Sequence, residues 1–273
     1  MKKLGLGYVS DCLQLVREQA EMNIDVALDE PLTSGTCVKL IIELLKYILY
    51  QKQQIPFTYD SLTQLQTNVK PTDKNSSYIK TLLNSLKCTS EQLNSQFHLE
   101  GCNVKEIAIL IGATIISPKL HIRLEFPPNI LSSEEHHECR HTSRKPLLSL
   151  MRSMLECSEF QDAIASPLNP TNTFVLVQKS DSNSVSDFFL PKPQYIPPIR
   201  NSNCFFIKFH HSEQIKIDCN CIDIVKVYND LSESNINKDR AIQCLNKSNG
   251  NVTNVPYQWY QSREVIKGFK YVR

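Results

Sequence analysis

The stretch Cys37-Val38-Lys39-Leu40-Ile41-Ile42-Glu43-Leu44-Leu45-Lys46-Tyr47-Ile48-Leu49-Tyr50-Gln51 decides how the rest of the chain is read. Wound as a helix, it carries apolar side chains at almost every angular position, and Lys39, Glu43 and Lys46 make its one polar stripe. A helix apolar on nearly all sides must be covered on nearly all sides, so this one is predicted to be the central helix of its domain. It is too short and too interrupted by charge to cross a bilayer. Ser34 stands where an N-cap is expected. The polar block Gln51-Lys52-Gln53-Gln54 closes the helix before Pro56.

Upstream, Ile24, Val26 and Leu28 alternate with Asp25, Ala27 and Asp29, the pattern of a half-buried strand, which Pro31 ends. Residues 1–22 mix charge with apolar side chains and are expected to form a weakly ordered arm. Residues 23–273 contain no clean linker and read as one domain. Downstream, a second helix is predicted over residues 76–97, with Tyr78, Leu82, Leu83, Leu86, Leu93 and Phe97 on its apolar face. Residues 104–116 read as a strand, and residues 121–126 as another that stops at Pro127-Pro128. A third helix follows with Pro146 in its first turn, where proline is tolerated. Its Leu147, Leu148, Leu150, Met151, Met154, Leu155 and Phe160 exceed one core stripe, so it can pack one side inward and offer another outward.

Beyond Pro167 and Pro170 the chain turns to strands. They are expected over residues 174–179 and 188–190, as a hairpin of 204–209 with 214–219, and over 255–260 and 265–272. Residues 229–254, rich in Asn, Ser, Lys and Asp, read as loosely held. This order predicts an α+β domain with three helices packed on a mainly antiparallel sheet.

The composition narrows the function. A net charge of +2 gives no electrostatic footprint for nucleic acid. Neither a membrane span nor a signal-peptide core is evident, so the 10 cysteines are expected as free thiols of a reducing compartment. With only 7 glycines there is no phosphate-cradling loop, no dinucleotide fingerprint and no G-x-S-x-G elbow. The balance favours binding over catalysis. His136, His137, Cys139 and His141 resemble a zinc ligand set in type, but closed sites combine two separated ligand pairs. Here they crowd into one polar loop, which reads as solvated. Cys219 and Cys221 share one face of a strand and read as structural. Around Phe188-Phe189-Leu190, the run Pro191-Lys192-Pro193 is stiff and poor in backbone donors. A docking loop and a strand edge followed by a turn are equally compatible with it.

The run Glu43-Leu44-Leu45-Lys46-Tyr47-Ile48-Leu49-Tyr50-Gln51-Lys52-Gln53-Gln54-Ile55-Pro56 resembles the first helix and helix exit of the comet family, HORMA-like proteins that bind Mad-two in the spindle assembly checkpoint. Collinear matches follow: Ile109-Leu110-Ile111-Gly112 with Ser117-Pro118-Lys119, then Leu150 and Arg152 with Phe160, then Pro191-Lys192. Trp259 with Gln261 and Lys267-Gly268-Phe269 complete the series. The resemblance implies a HORMA-like fold with a C-terminal safety belt. It implies an adaptor that binds closed Mad-two at its dimerisation face and delivers it to a Pch-two-type AAA+ ATPase. The consequence would be disassembly of the mitotic checkpoint complex, with no catalytic residue, metal or cofactor. By the same resemblance Gln51, Lys52, Leu147, Met151 and Arg152 would contact Mad-two, and Pro191 with Lys192 the ATPase. Met151 stands where the family pattern has an aromatic anchor; methionine fills such a pocket with less area and stiffness. The expected location is nucleus and cytoplasm, at spindle and kinetochores in mitosis. The alternatives are a HORMA-like module that clasps a peptide in meiosis or repair, and a metal-dependent protein built on residues 134–141.

Overall fold

The computed structural model describes residues 22–68, 74–99, 102–132, 136, 141–181, 186–198, 203–211 and 256–271. The predicted central helix is α1 (Ser34–Gln51). Its apolar positions from Cys37 to Leu49 are buried, save the partly exposed Tyr47, and Lys39 and Tyr50 face outward. The cap is Thr33, one residue before the expected Ser34: the Thr33 Oγ1 accepts from the Thr36 N–H at 3.2 Å. Ser34 is instead interior, with its Oγ 3.2 Å from Nε2 of His98.

Before α1 runs β1 (Met22–Leu28), with Ile24, Val26 and Leu28 buried in strict alternation. Of the expected arm only Met22 is described, and it opens this strand. After α1 comes a helix the sequence reading did not anticipate, α2 (Tyr59–Asn68). It is largely polar and is held by Leu62 in the core and by Lys46, whose ammonium lies 4.1 Å over the Tyr59 ring. Next are α3 (Lys74–His98), β2 (Cys102–Gly112) and β3 (Pro118–Glu125). The β2 strand stops short of the expected residue 116 because the chain doubles back at Gly112. A Cβ there would sit 2.8 Å from Pro118 Cα.

The predicted third helix is two. Extended backbone at Cys157 separates α4 (Arg144–Glu156) from α5 (Ser158–Ala165), and Phe160 belongs to the latter. The count of three helices is therefore corrected to five among the described residues. The remaining strands are β4 (Asn172–Asp181), β5 (Phe189–Pro191), β6 (Asn203–His211), β7 (Gln258–Ser262) and β8 (Ile266–Lys267).

The strands form one sheet in the order β1-β6-β3-β2-β4-β7-β5, with β8 beside β4. Five of its seven pairings are antiparallel, and β6 lies parallel to both β1 and β3. The expected hairpin of 204–209 with 214–219 is described only in its first arm, which is β6. Residues 214–219 lie outside the described set; β1 and β3 flank Phe205 to Lys208 on either side. The expected loop of 229–254 and the Cys219–Cys221 pair also lie outside it.

Alternation along the strands sends Ile107, Ile109, Ile111, Ile122, Leu124, Phe205 and Ile207 into the core shared with the helices. Ala108, Leu110, Phe174, Leu176 and Trp259 form a smaller cluster on the opposite face. The result is a mixed α+β protein whose helices cover one face of a large sheet.

Candidate interaction surfaces

The first surface begins where α1 ends. Gln53 has φ 53°, the left-handed region that a residue with a Cβ enters at a cost, and it turns the chain back on itself. Gln51 remains half exposed. Lys52 does not. It is 2% exposed, and its ammonium donates to the Ala163 carbonyl at 2.5 Å and to the Ser166 carbonyl. These are orphan carbonyls at the C-terminus of α5, where a cation is favoured. Burial lowers the Lys52 pKa. The reading of Lys52 as a partner contact is corrected accordingly: its charge is used inside the protein. Gln54 completes the arrangement. Its Nε2 donates to the carbonyls of Lys52, Leu168 and Asn169, and its Oε1 accepts from the Thr171 N–H at 2.8 Å. Its backbone oxygen accepts from the Phe269 N–H at 2.9 Å. The helix exit is thus tied to both the α5–β4 connection and the C-terminal segment.

The α4 helix packs on β1 and α1. The Ser153 hydroxyl donates to the Asp25 carbonyl, and Lys145 pairs with Glu30. This fixes the helix rotation. Leu150 and Met154 point into the core, and Leu147 and Met151 are half-buried on its border. Leu148 and Leu155, 57% and 60% exposed, stand outward with Arg152 between them. Spaced at i, i+4 and i+7, the three make an apolar stripe with a guanidinium at its centre. Sequence periodicity gave the helix but not this phase. Leu148 and Leu155 are therefore surface residues that the site assignment from sequence missed.

The second surface lies at the other end of the sheet. In β5, Leu190 and Pro191 pair with Gln261 and Tyr260 of β7, and the Lys192 N–H donates to the Trp259 carbonyl at 2.7 Å. The Tyr195 N–H closes a turn onto the Lys192 carbonyl at 3.0 Å, with Pro193 at the position where proline's fixed φ suits the turn. Trp259 and Tyr195 meet edge to face, and the Tyr195 hydroxyl donates to the Ile115 carbonyl. Pro191 and Pro193 are exposed and Lys192 is half exposed. Of the two readings left open by sequence, the strand edge followed by a turn is the geometry observed, and the turn is exposed.

Of the histidine-rich loop only His136 and His141 are described, with their rings edge to face at 5.3 Å. No group of three or more metal-ligating side chains occurs among the described residues. The charged pair Glu106–Arg123 is structural, with the carboxylate buried and the guanidinium partly so. Arg123 grips both carboxylate oxygens at 2.5 and 2.9 Å and lies 4.8 Å over the Phe206 ring. What the surface offers is an outward apolar–basic stripe, a helix exit braced from below, and a proline turn on the far sheet edge. Such features define a protein-interaction scaffold.

The chain belongs to the p31comet family, whose model, described as "p31comet: Mad1 and Cdc20-bound-Mad2 binding", matches residues 16–207. A human protein named "MAD2L1-binding protein" is 29% identical over 194 residues, covering 65% of this chain and 66% of that protein. Its mouse counterpart of the same name is 25% identical over 191 residues, with the same coverage. The chain thus spans just under two thirds of the length of these curated relatives.

Proposed function

We propose that this protein binds the closed, Cdc20-bound form of Mad-two through α4 and the α1 exit. The observation that carries the reading is the outward stripe Leu148–Arg152–Leu155 on a helix whose family is described by Mad-two binding. A fully packed α4 would have had nothing to offer. Leu147 and Met151 border the stripe and supply apolar depth, and Gln51 supplies an amide at the neighbouring helix exit.

The scaffold is a HORMA-like domain over residues 23–273 whose C-terminal part acts as the safety belt. It works as an adaptor without covalent chemistry. Pro191 and Lys192 dock on a Pch-two-type AAA+ ATPase, which opens the bound Mad-two and so disassembles the mitotic checkpoint complex. The sheet order supports two simultaneous grips. Six interstrand steps separate β1, beside α4, from β5, which at about 4.8 Å each is roughly 29 Å. Partners held that far apart need not collide, and tethering them raises the effective concentration of one at the other. The protein would act in nucleus and cytoplasm and at kinetochores in mitosis.

Size-exclusion chromatography with closed Mad-two is the direct test. Co-elution at micromolar concentration is expected, and its absence defeats the proposal. Replacing Pro191 and Lys192 with Ala should leave co-elution intact and abolish ATPase-driven opening. Loss of both together would refute the separation of the two grips.

A further inference from the structure

We infer that the C-terminal segment Phe269–Tyr271 forms the second wall of the Mad-two-binding surface, and that Lys270 there receives a carboxylate of the partner. This rests on the Mad-two reading above and names residues of that same surface.

The geometry comes from the helix exit. A cleft of about 570 Å³ opens beside Gln51, walled on one side by Tyr50, Gln53 and Phe57 and on the other by Phe269, Lys270 and Tyr271. Tyr50 and Phe57 remain 43% and 38% exposed, a large apolar area for two aromatic rings at one opening. Aromatic walls around a recess are the usual seat of an anchoring side chain in a protein interface. The walls are also fixed. Phe57 meets Tyr271 edge to face at 5.4 Å, and Tyr78 stacks on Phe269 at 5.8 Å. Beneath them Gln54 holds Phe269 and Thr171 through its backbone and side chain. Gly268 presses so close that a Cβ would lie 2.6 Å from Gln54 Oε1. The cleft is therefore preformed, and binding there costs little ordering entropy.

Charge selects the occupant. Lys270 is exposed and is the one ionisable side chain on these walls besides the tyrosines; the lining includes no carboxylate. Gln51 and Gln53 add amide groups that bond either donors or acceptors. The site matches a partner segment that presents an Asp or Glu next to an apolar side chain. Gln51 lines this cleft together with Lys270 and Tyr271, so a partner segment seated in it beside Gln51 lies within their reach.

The test titrates labelled closed Mad-two with the full chain and with Lys270→Glu, Tyr50→Ala and Arg152→Glu variants, at low and physiological salt. Lys270 and Tyr50 are exposed, so the folds should be unaltered. Lys270→Glu is expected to weaken binding about tenfold or more, by turning an attraction into a like-charge contact. Its effect should shrink as salt rises. Tyr50→Ala should weaken binding through the opposite wall. If the parent chain binds and Arg152→Glu fails, yet Lys270→Glu and Tyr50→Ala stay within twofold of the parent, the inference is wrong and the Mad-two reading survives. If the parent does not bind, both fall. If the variants disturb only self-association, seen by sedimentation, the cleft belongs to a second copy and the inference is overturned.

Discussion

Lowering the pH should loosen this protein through His121. The side chain is wholly buried on the sheet face away from the helices. Its Nδ1 lies 3.3 Å from the Pro198 carbonyl oxygen and 3.5 Å from Cys204 Sγ, and Nε2 has no hydrogen-bond partner among the described residues. Burial pushes its pKa down from 6.5 to about 4; the Pro198 carbonyl opposes the change and Arg123 adds to it. The unfolded chain therefore takes up a proton near pH 6.5, and the native chain only near pH 4. Between these values the unfolded state holds the extra proton, so stability falls as pH falls. Above the window both states are neutral, and below it both are charged. At about 1.4 kcal/mol per pH unit, the window corresponds to a loss of about 3 kcal/mol. Urea midpoints for the parent and for His121→Gln, measured from pH 7 down to pH 4, isolate this contribution, because the carboxylates titrate in both proteins. The parent should lose about 3 kcal/mol more than the variant, whatever the variant's starting stability. Parallel curves across the window would refute the reasoning.

Further outcomes follow from the helix exit and from α4. Lys52→Met leaves the Ala163 and Ser166 carbonyls without their donor. It should cost about 2–4 kcal/mol by chemical denaturation, with relief from burying an ammonium offsetting part of the loss. Gly268→Ala forces a methyl against Gln54 and the Thr171 backbone. It should lower stability by about 1–3 kcal/mol, read as a fall in melting temperature. Leu148→Ser combined with Leu155→Ser touches only exposed positions. Stability should stay within about 0.5 kcal/mol, while affinity for closed Mad-two falls about tenfold or more in the same titration. A stability loss there without a binding loss would reassign the stripe to packing.

Lys52 shows where reading the chain stops. A lysine in a polar block at a helix end is ordinarily solvated, and the resemblance made it a contact. Its burial depends on the Gln53 turn and on α5 ending within reach, 111 residues away along the chain. Similarly, Leu148 and Leu150 are indistinguishable by type. Only the seating of α4 on β1, through Ser153 and Lys145, makes one surface and the other core.

Local pattern was enough for several of the elements, though not for α2 or for the break between α4 and α5. The all-round apolar run specifies α1, the alternation of Ile24, Val26 and Leu28 specifies β1, and the helix-exit motif by itself points to the family. These signals are periodicities of 3.6 and 2 residues, which a chain carries by itself. Pairing across the sheet is not local. That β6 lies between β1 and β3, and that the C-terminal segment meets the α1 exit, depends on contacts between residues far apart in sequence. Such contacts form only when the whole core closes. The candidate surfaces, which bring such distant pieces side by side, therefore exist only in the tertiary structure.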